Sequence, residues 1–260
     1  MEDNFQSLGA IASGLVAGLK PTRAAAARSS ITYHDNVVQG SDEWLALRCG
    51  LLNASEMKLI LTPKTLKPAS NDNERAHLYE LLAQRITRYV EPHYISDDML
   101  RGQEDEFLAR ASYSREYAPV QEVGFVTNDE WGFTIGYSPD GLVGSDGQIE
   151  AKSRRQKYQF QTIIECAEKQ TIPDEFVLQV QTGLLVTKRK WCDFISYCGG
   201  SHMVTIRVYP NPTIQDAIVS AATAFEKRIA EKIDKYRTII GASGVRLLPT
   251  ERIIEREIVL

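Results

Sequence analysis

Apolar positions recur at helical spacing through the first half of the chain and at alternate positions through its middle. Ser41 stands ahead of Trp44, Leu45 and Leu47 and can cap a helix that ends near Gly50. Asn53, with Glu56 three places on, is a capping-box-like start for a second helix. That helix carries Met57, Leu59, Ile60 and Leu61, and Pro63 ends it. After a loop over 64–73, the spacing of Leu78, Leu81, Leu82 and Ile86 predicts a helix over 74–90. Another is expected from about Asp97 to Ala111.

The period then shortens to that of strands. Residues 123–127, 132–137, 141–143 and 148–152 are short, turn-bounded segments. Helix returns over 156–169 and again from Pro173 to Thr187, with Phe176, Val177, Val180 and Leu184 on one face. Residues 191–197 and 204–209 read as strands, and 213–236 as a long amphipathic helix. This order predicts an α/β fold with a central mixed sheet flanked by helices. A single domain is expected over 31–237. Residues 1–30, rich in Ala, Gly and Ser, read as a helix plus linker through Ile11, Leu15, Val16 and Leu19. The tail 238–260 has little helical signal, although Ile253, Ile254, Ile258 and Val259 suit a strand or an interface.

At 260 residues, 43% hydrophobic and 25% charged, the chain can bury a substantial core. No apolar run reaches the ~18 residues of a membrane span, and the N-terminus lacks the basic start of a secretory signal. A cytoplasmic location with no membrane partner is therefore expected. The four cysteines, Cys49, Cys166, Cys192 and Cys198, form no CxxC pair, which leaves zinc or cluster ligation unsupported and free thiols in a reducing compartment the default. A net charge of −4 argues against a general nucleic-acid coat. It does not exclude a nuclease, because clustered carboxylates at a metal site lower the total while basic residues line a channel. Arg154, Arg155 and Lys157 form one such group and Lys188-Arg189-Lys190 another; each alone also reads as a solvated charge run.

Two segments carry chemistry. Ser138-Pro139-Asp140-Gly141 is followed, after the turn Gly144-Ser145-Asp146-Gly147, by Glu150-Ala151-Lys152. A hairpin there sets Asp140 beside Glu150, and strand alternation points Glu150 and Lys152 the same way. Two adjacent carboxylates repel unless a cation lies between them, and a nearby lysine can then orient or deprotonate a water. An ordinary solvated hairpin has the same spacing. In the second segment, Ser55 falls in the first turn of the helix that Asn53 caps. Its hydroxyl, the free N–H groups and the preceding Arg48 compose an anion site suited to a terminal phosphate. The alternative is a helical hairpin with an ordinary cap and a solvated arginine.

The run GSDEWLALRCGLLNASE over 40–56, the SPDG…EAK hairpin and the helix segment Phe176–Gln181 occur in the order seen in the YqaJ-type viral recombinases, the lambda exonuclease family. The resemblance spans roughly residues 38–210 and implies a restriction-endonuclease-like, PD-(D/E)xK core. It also implies residue roles. Asp140, Glu150 and Glu106, with the Ala151 carbonyl, match the metal shell; Glu104 and Asp105 compete with Glu106 for the helix position. Lys152 matches the catalytic lysine. Gln179 matches a glutamine near the metals, with Gln181 the alternative. Arg48 and Ser55 match the 5′-phosphate pocket, and Lys64 lies near a further phosphate-binding position. Ser138 matches a residue beside the site, while Arg154, Arg155 and Lys157 are candidates for DNA contact. Phe176 stands where the lambda enzyme has tyrosine, and Ser153 where Cys-Pro commonly follows the lysine. The resemblance implies a two-metal 5′→3′ exodeoxyribonuclease of phage-type recombination, using Mg²⁺ or Mn²⁺ on double-stranded DNA with 5′-phosphate ends. It implies a homotrimeric ring and a single-strand-annealing partner in a bacterial host cytoplasm. An endonuclease of the same superfamily and a non-catalytic DNA-binding module are the alternatives; intact Asp140, Glu150 and Lys152 argue against the second.

Overall fold

The computed structural model describes residues 30–92, 96–242 and 244–252. The helix and linker expected before residue 30 and the apolar run from Ile253 onward lie outside the described residues. Strands that alternate as the sequence suggests form two mixed, four-stranded sheets instead of one. The first contains β1 (Ile31–His34), β2 (Leu52–Asn53), β3 (Phe125–Asn128) and β4 (Ile135–Tyr137), in the order β1-β3-β4-β2. The second contains β5 (Gly141–Val143), β6 (Gly147–Ser153), β7 (Trp191–Tyr197) and β8 (Val204–Val208), in that order. β6 and β7 are parallel, and the outer pairs are antiparallel. β1 and β2 were not expected from the sequence, being too short to show a period.

β6 is buried on both faces. Ile149 and Ala151 pack with Ala109 and Tyr113 of α4 (Asp97–Glu116). α4 runs past the expected end at Ala111 because Tyr113 continues its buried stripe and donates to Asp193 on β7 at 2.6 Å. Gln148, Glu150 and Lys152 face α6 (Asp174–Thr187), which lies against both sheets. The helix expected over 156–169 divides into α5 (Gln156–Thr162) and a π-helical turn, Ile163–Ala167. Gln159 ties α5 down through the Ser196 and His202 carbonyls.

Around this frame lie α1 (Asp42–Arg48), capped by Ser41, the short α2 (Met57–Ile60) and α3 (Asp72–Thr87). α7 (Pro212–Ile240) packs Ile218, Ala221, Ala222, Phe225 and Ile229 inward and carries the chain past residue 237. Arg85 of α3 forks onto Glu226 of α7 at 2.6 and 2.7 Å, and Arg228 pairs with Glu74. Arg85 also crosses under Gly50, donating to its carbonyl; a Cβ at Gly50 would stand 2.7 Å from Arg85 Cγ, so the α1–β2 turn requires glycine. No helix among the described residues is long and apolar enough to cross a membrane.

Candidate active site

The β5–β6 hairpin forms at the expected turn. Its register pairs Gly141 with Ile149, which sets Asp140 across from Glu150. Asp140 Oδ2 accepts the Ala151 N–H at 2.6 Å, so the loop carboxylate is fixed to the strand that carries the other. Glu150 is 1% exposed and has both oxygens engaged. Oε1 accepts from Lys152 Nζ at 2.6 Å and from Gln179 Nε2 of α6; Oε2 accepts from the Tyr137 hydroxyl at 2.8 Å.

Glu106 comes in from α4. Arg110, one turn on, joins it to the hairpin by donating to the Asp140 carbonyl at 3.1 Å and to Glu106 Oε1 at 3.5 Å. Of its two rivals, Glu104 is exposed, and Asp105 accepts from the Ser153 hydroxyl. Gln181 points away from the site, taking the Asn211 N–H and donating to the Tyr209 carbonyl.

Burial pushes the Asp140 carboxyl well above the usual carboxylate range, and the charges of Glu150 and Glu106 push it further. Burial likewise raises Glu106, with Arg110 opposing. Burial would lower Lys152, but Glu150, Asp140 and Glu106 together outweigh it and hold the side chain as an ammonium. Three acids converging on one lysine form an oxygen-rich, electron-rich cluster, the donor chemistry of a hard divalent cation. Among the described residues no trio of His, Cys, Asp or Glu is arranged to hold a metal as it stands. Glu150 is engaged by Lys152, Gln179 and Tyr137, and Glu106 leans on Arg110. The residue types fit such a cation.

Ser138, two residues before Asp140, links this cluster to a second site. Its Oγ accepts from Trp44 Nε1 at 2.9 Å and from Arg48 Nη1 at 3.4 Å. The Arg48 guanidinium lies 4.3 Å over the Trp44 ring and 3.8 Å from Glu56. Burial lowers its pKa, with Glu56 opposing. The expected helix start is modified here. Asn53 ends β2 and is the N-cap of Ala54–Glu56, a 3₁₀ turn followed by the single turn of α2, so little macrodipole is available. Ser55 is exposed, and Lys64 is exposed on a turn.

Beyond Lys152, Arg101, Asp105, Arg154, Arg155 and Lys157 line an open groove of about 620 Å³. Arg154 is clamped between the Phe176 and Tyr158 rings and paired with Glu175 at 2.8 Å. Phe176 keeps an aromatic face 5.8 Å from Lys152 Nζ, without a hydroxyl. Three members of the site escape sequence reasoning: Trp44 reads as an apolar residue of α1, Tyr137 as the end of a strand, and Arg110 falls within the expected 97–111 helix with no role assigned.

A family model described as the YqaJ-like viral recombinase domain matches residues 43–190. An alkaline exonuclease from Laribacter hongkongensis is similar in structure, with a TM-score of 0.66 and 29% identity over 76% of this chain and 97% of that one. The same protein in complex with dAMP gives a TM-score of 0.67. A phage-related exonuclease from Haemophilus somnus 129PT, 16% identical over 72% of this chain and 96% of that one, shares the fold with a TM-score of 0.53. No curated protein matches the chain. The fold is the PD-(D/E)xK type that the family resemblance implied.

Proposed function

The chain belongs to the YqaJ-like viral recombinase family, and on that premise we propose that it is a cation-dependent 5′→3′ exonuclease acting on the ends of double-stranded DNA. The observation that carries this reading is the short link Ser138-Pro139-Asp140. It sets the buried Asp140–Glu150–Lys152 cluster directly beside the Arg48–Trp44 pocket. A buried acid cluster with one lysine suits phosphodiester hydrolysis. A stacked guanidinium beside it suits a terminal phosphate, and only a 5′-phosphorylated end supplies that group in place.

Asp140, Glu150, Glu106 and the Ala151 carbonyl would hold the cation, Mg²⁺ or Mn²⁺, and when bound it would supply neutralisation of charge on the scissile phosphate and acidification of a water. Lys152, kept cationic by its neighbours, donates to the attacking water and fixes its line of approach. Gln179 steadies Glu150 from α6. Arg48 grips the 5′ phosphate, and Ser138 holds Arg48 in register with Asp140. Ser55 and Lys64, both exposed, are further candidates for contact with that phosphate. Water adds to phosphorus, the bond to the 3′ oxygen breaks, and that oxygen takes up a proton. The products are a 5′ mononucleotide and a strand with a fresh 5′ phosphate, so each turnover recreates the group that Arg48 holds. The Arg154, Arg155 and Lys157 groove receives the DNA backbone beyond the cut. Family membership supports a trimeric ring around the duplex and hand-over of the 3′ tail to a single-strand-annealing protein.

Lys152→Ala and Glu150→Ala should each lower Mg²⁺-dependent digestion of linear duplex by at least about 10²-fold, with circular dichroism unchanged. Digestion at the wild-type rate by either variant would sink the assignment. Faster attack on 5′-phosphate than on 5′-hydroxyl ends tests polarity, and equal attack on closed circles would mean an endonuclease.

A further inference from the structure

Tyr137 ends β4 in the first sheet, yet its hydroxyl reaches the acid cluster of the second. It donates to Glu150 Oε2 at 2.8 Å while Lys152 and Gln179 take Oε1. The ring is 1% exposed, so no solvent competes for that bond. The surroundings are shaped to admit it. Gly183 stands in the middle of α6, where glycine costs about 1 kcal/mol relative to alanine. A Cβ there would lie 2.7 Å from Tyr137 Cζ. Gln148, on the Glu150 face of β6, turns Nε2 to the hydroxyl at 3.5 Å, and its Oε1 accepts from the Thr187 hydroxyl at 2.7 Å. A phenylalanine would fill nearly the same volume, but it would leave Glu150 Oε2 buried without this partner.

The terminal torsion of glutamate is intrinsically broad, so a carboxylate held at one oxygen can still turn. We propose that Tyr137 is a positioning residue. Its hydroxyl, met by a Gln148 that Thr187 in turn holds, fixes the Glu150 carboxylate in the orientation from which it serves both a divalent cation and Lys152. This rests on the nuclease reading above and adds to it a residue whose role runs through Glu150.

The test titrates Mn²⁺ into cation-free wild type, Tyr137→Phe and Thr187→Val by calorimetry, with thermal unfolding followed in EDTA. Tyr137→Phe should bind Mn²⁺ about tenfold more weakly, the lower range for loss of an outer partner of a metal ligand. Its digestion of linear duplex should recover as Mn²⁺ is raised, which a general packing defect would not do. Thr187→Val removes the hydroxyl that holds Gln148 and should show a smaller loss in the same direction. Equal Mn²⁺ affinity in Tyr137→Phe and wild type overturns the proposal. Should Tyr137→Phe fail to fold in EDTA, Thr187→Val decides, and an unchanged affinity there overturns it. Wild type that binds no Mn²⁺ would remove the nuclease reading itself, and this inference with it.

Discussion

Arg48 is held by an aromatic face, a hydroxyl and a carboxylate, with its side chain only 17% exposed. Those contacts orient a flat, two-pronged donor before any ligand arrives, which lowers the entropy lost on binding. A lysine would keep the charge and lose both the fork and the stack. Arg48→Lys should therefore cut the ratio of kcat/KM on 5′-phosphate to 5′-hydroxyl duplex ends by roughly tenfold or more, the scale of one charge-assisted hydrogen bond of about 1.5–3 kcal/mol. Cleavage of 5′-hydroxyl ends should change little. If the ratio is unaltered in steady-state assays, Arg48 is not the phosphate ligand. Trp44→Phe keeps a ring under the guanidinium but removes the donor to Ser138, so a milder loss in the same ratio is expected.

At the scale of elements, the site depends on how α6 meets two sheets. Gly183→Ala sets two effects against each other. Helix propensity favours alanine by about 1 kcal/mol. The added Cβ would press on Tyr137 at 2.7 Å and on Gln148 Nε2 at 3.0 Å inside a filled core, and overpacking of that kind costs about 1–3 kcal/mol. The clash should win, giving net destabilisation of up to about 2 kcal/mol by urea titration; a more stable variant would show that the core there is slack. The same contact marks the limit of what the sequence reveals. β7 and α6 were legible almost end to end, because each is a long run of one period bounded by turn residues. The alternation of β6 was enough to place Glu150 and Lys152 on one face. β1 and β2, with four and two residues, carry no measurable period, and the division into two sheets arises from pairings between distant segments. Asn53 does stand as the N-cap, with its backbone N–H donating to the Glu56 carboxylate, and the same residue also ends β2. Arg110 reaches the site because α4 packs on β6, and Tyr137 through the bond from its hydroxyl to Glu150 in the other sheet; local spacing encodes neither.

For the whole molecule, the acid cluster links stability to both protons and cations. Asp140 and Glu106 have folded pKa values raised by burial first and by neighbouring negative charge second. Without a cation, the folded chain therefore binds more protons than the unfolded chain between the ordinary carboxylate value of about 4 and the raised values. Stability from these groups is fully present on the acid side of that window and is lost as pH rises through it. Lys152 and the Ala151 N–H oppose the shift of Asp140 without reversing it. Asp140→Asn removes the charge and keeps an oxygen for the Ala151 N–H. In EDTA at pH 8 the variant should melt above wild type, with the gap closing as pH falls toward 4. Saturating Mg²⁺ should reverse the order at pH 8, because a ligand that binds only the folded state stabilises it by RT ln(1 + [L]/Kd) and the asparagine site binds it poorly. Thermal melts at pH 4.5 and pH 8, each in EDTA and in Mg²⁺, measure all four corners. Wild type that gains on Asp140→Asn with rising pH in EDTA would mean that the cluster is not electrostatically strained, and a hard cation would then have no strain there to relieve.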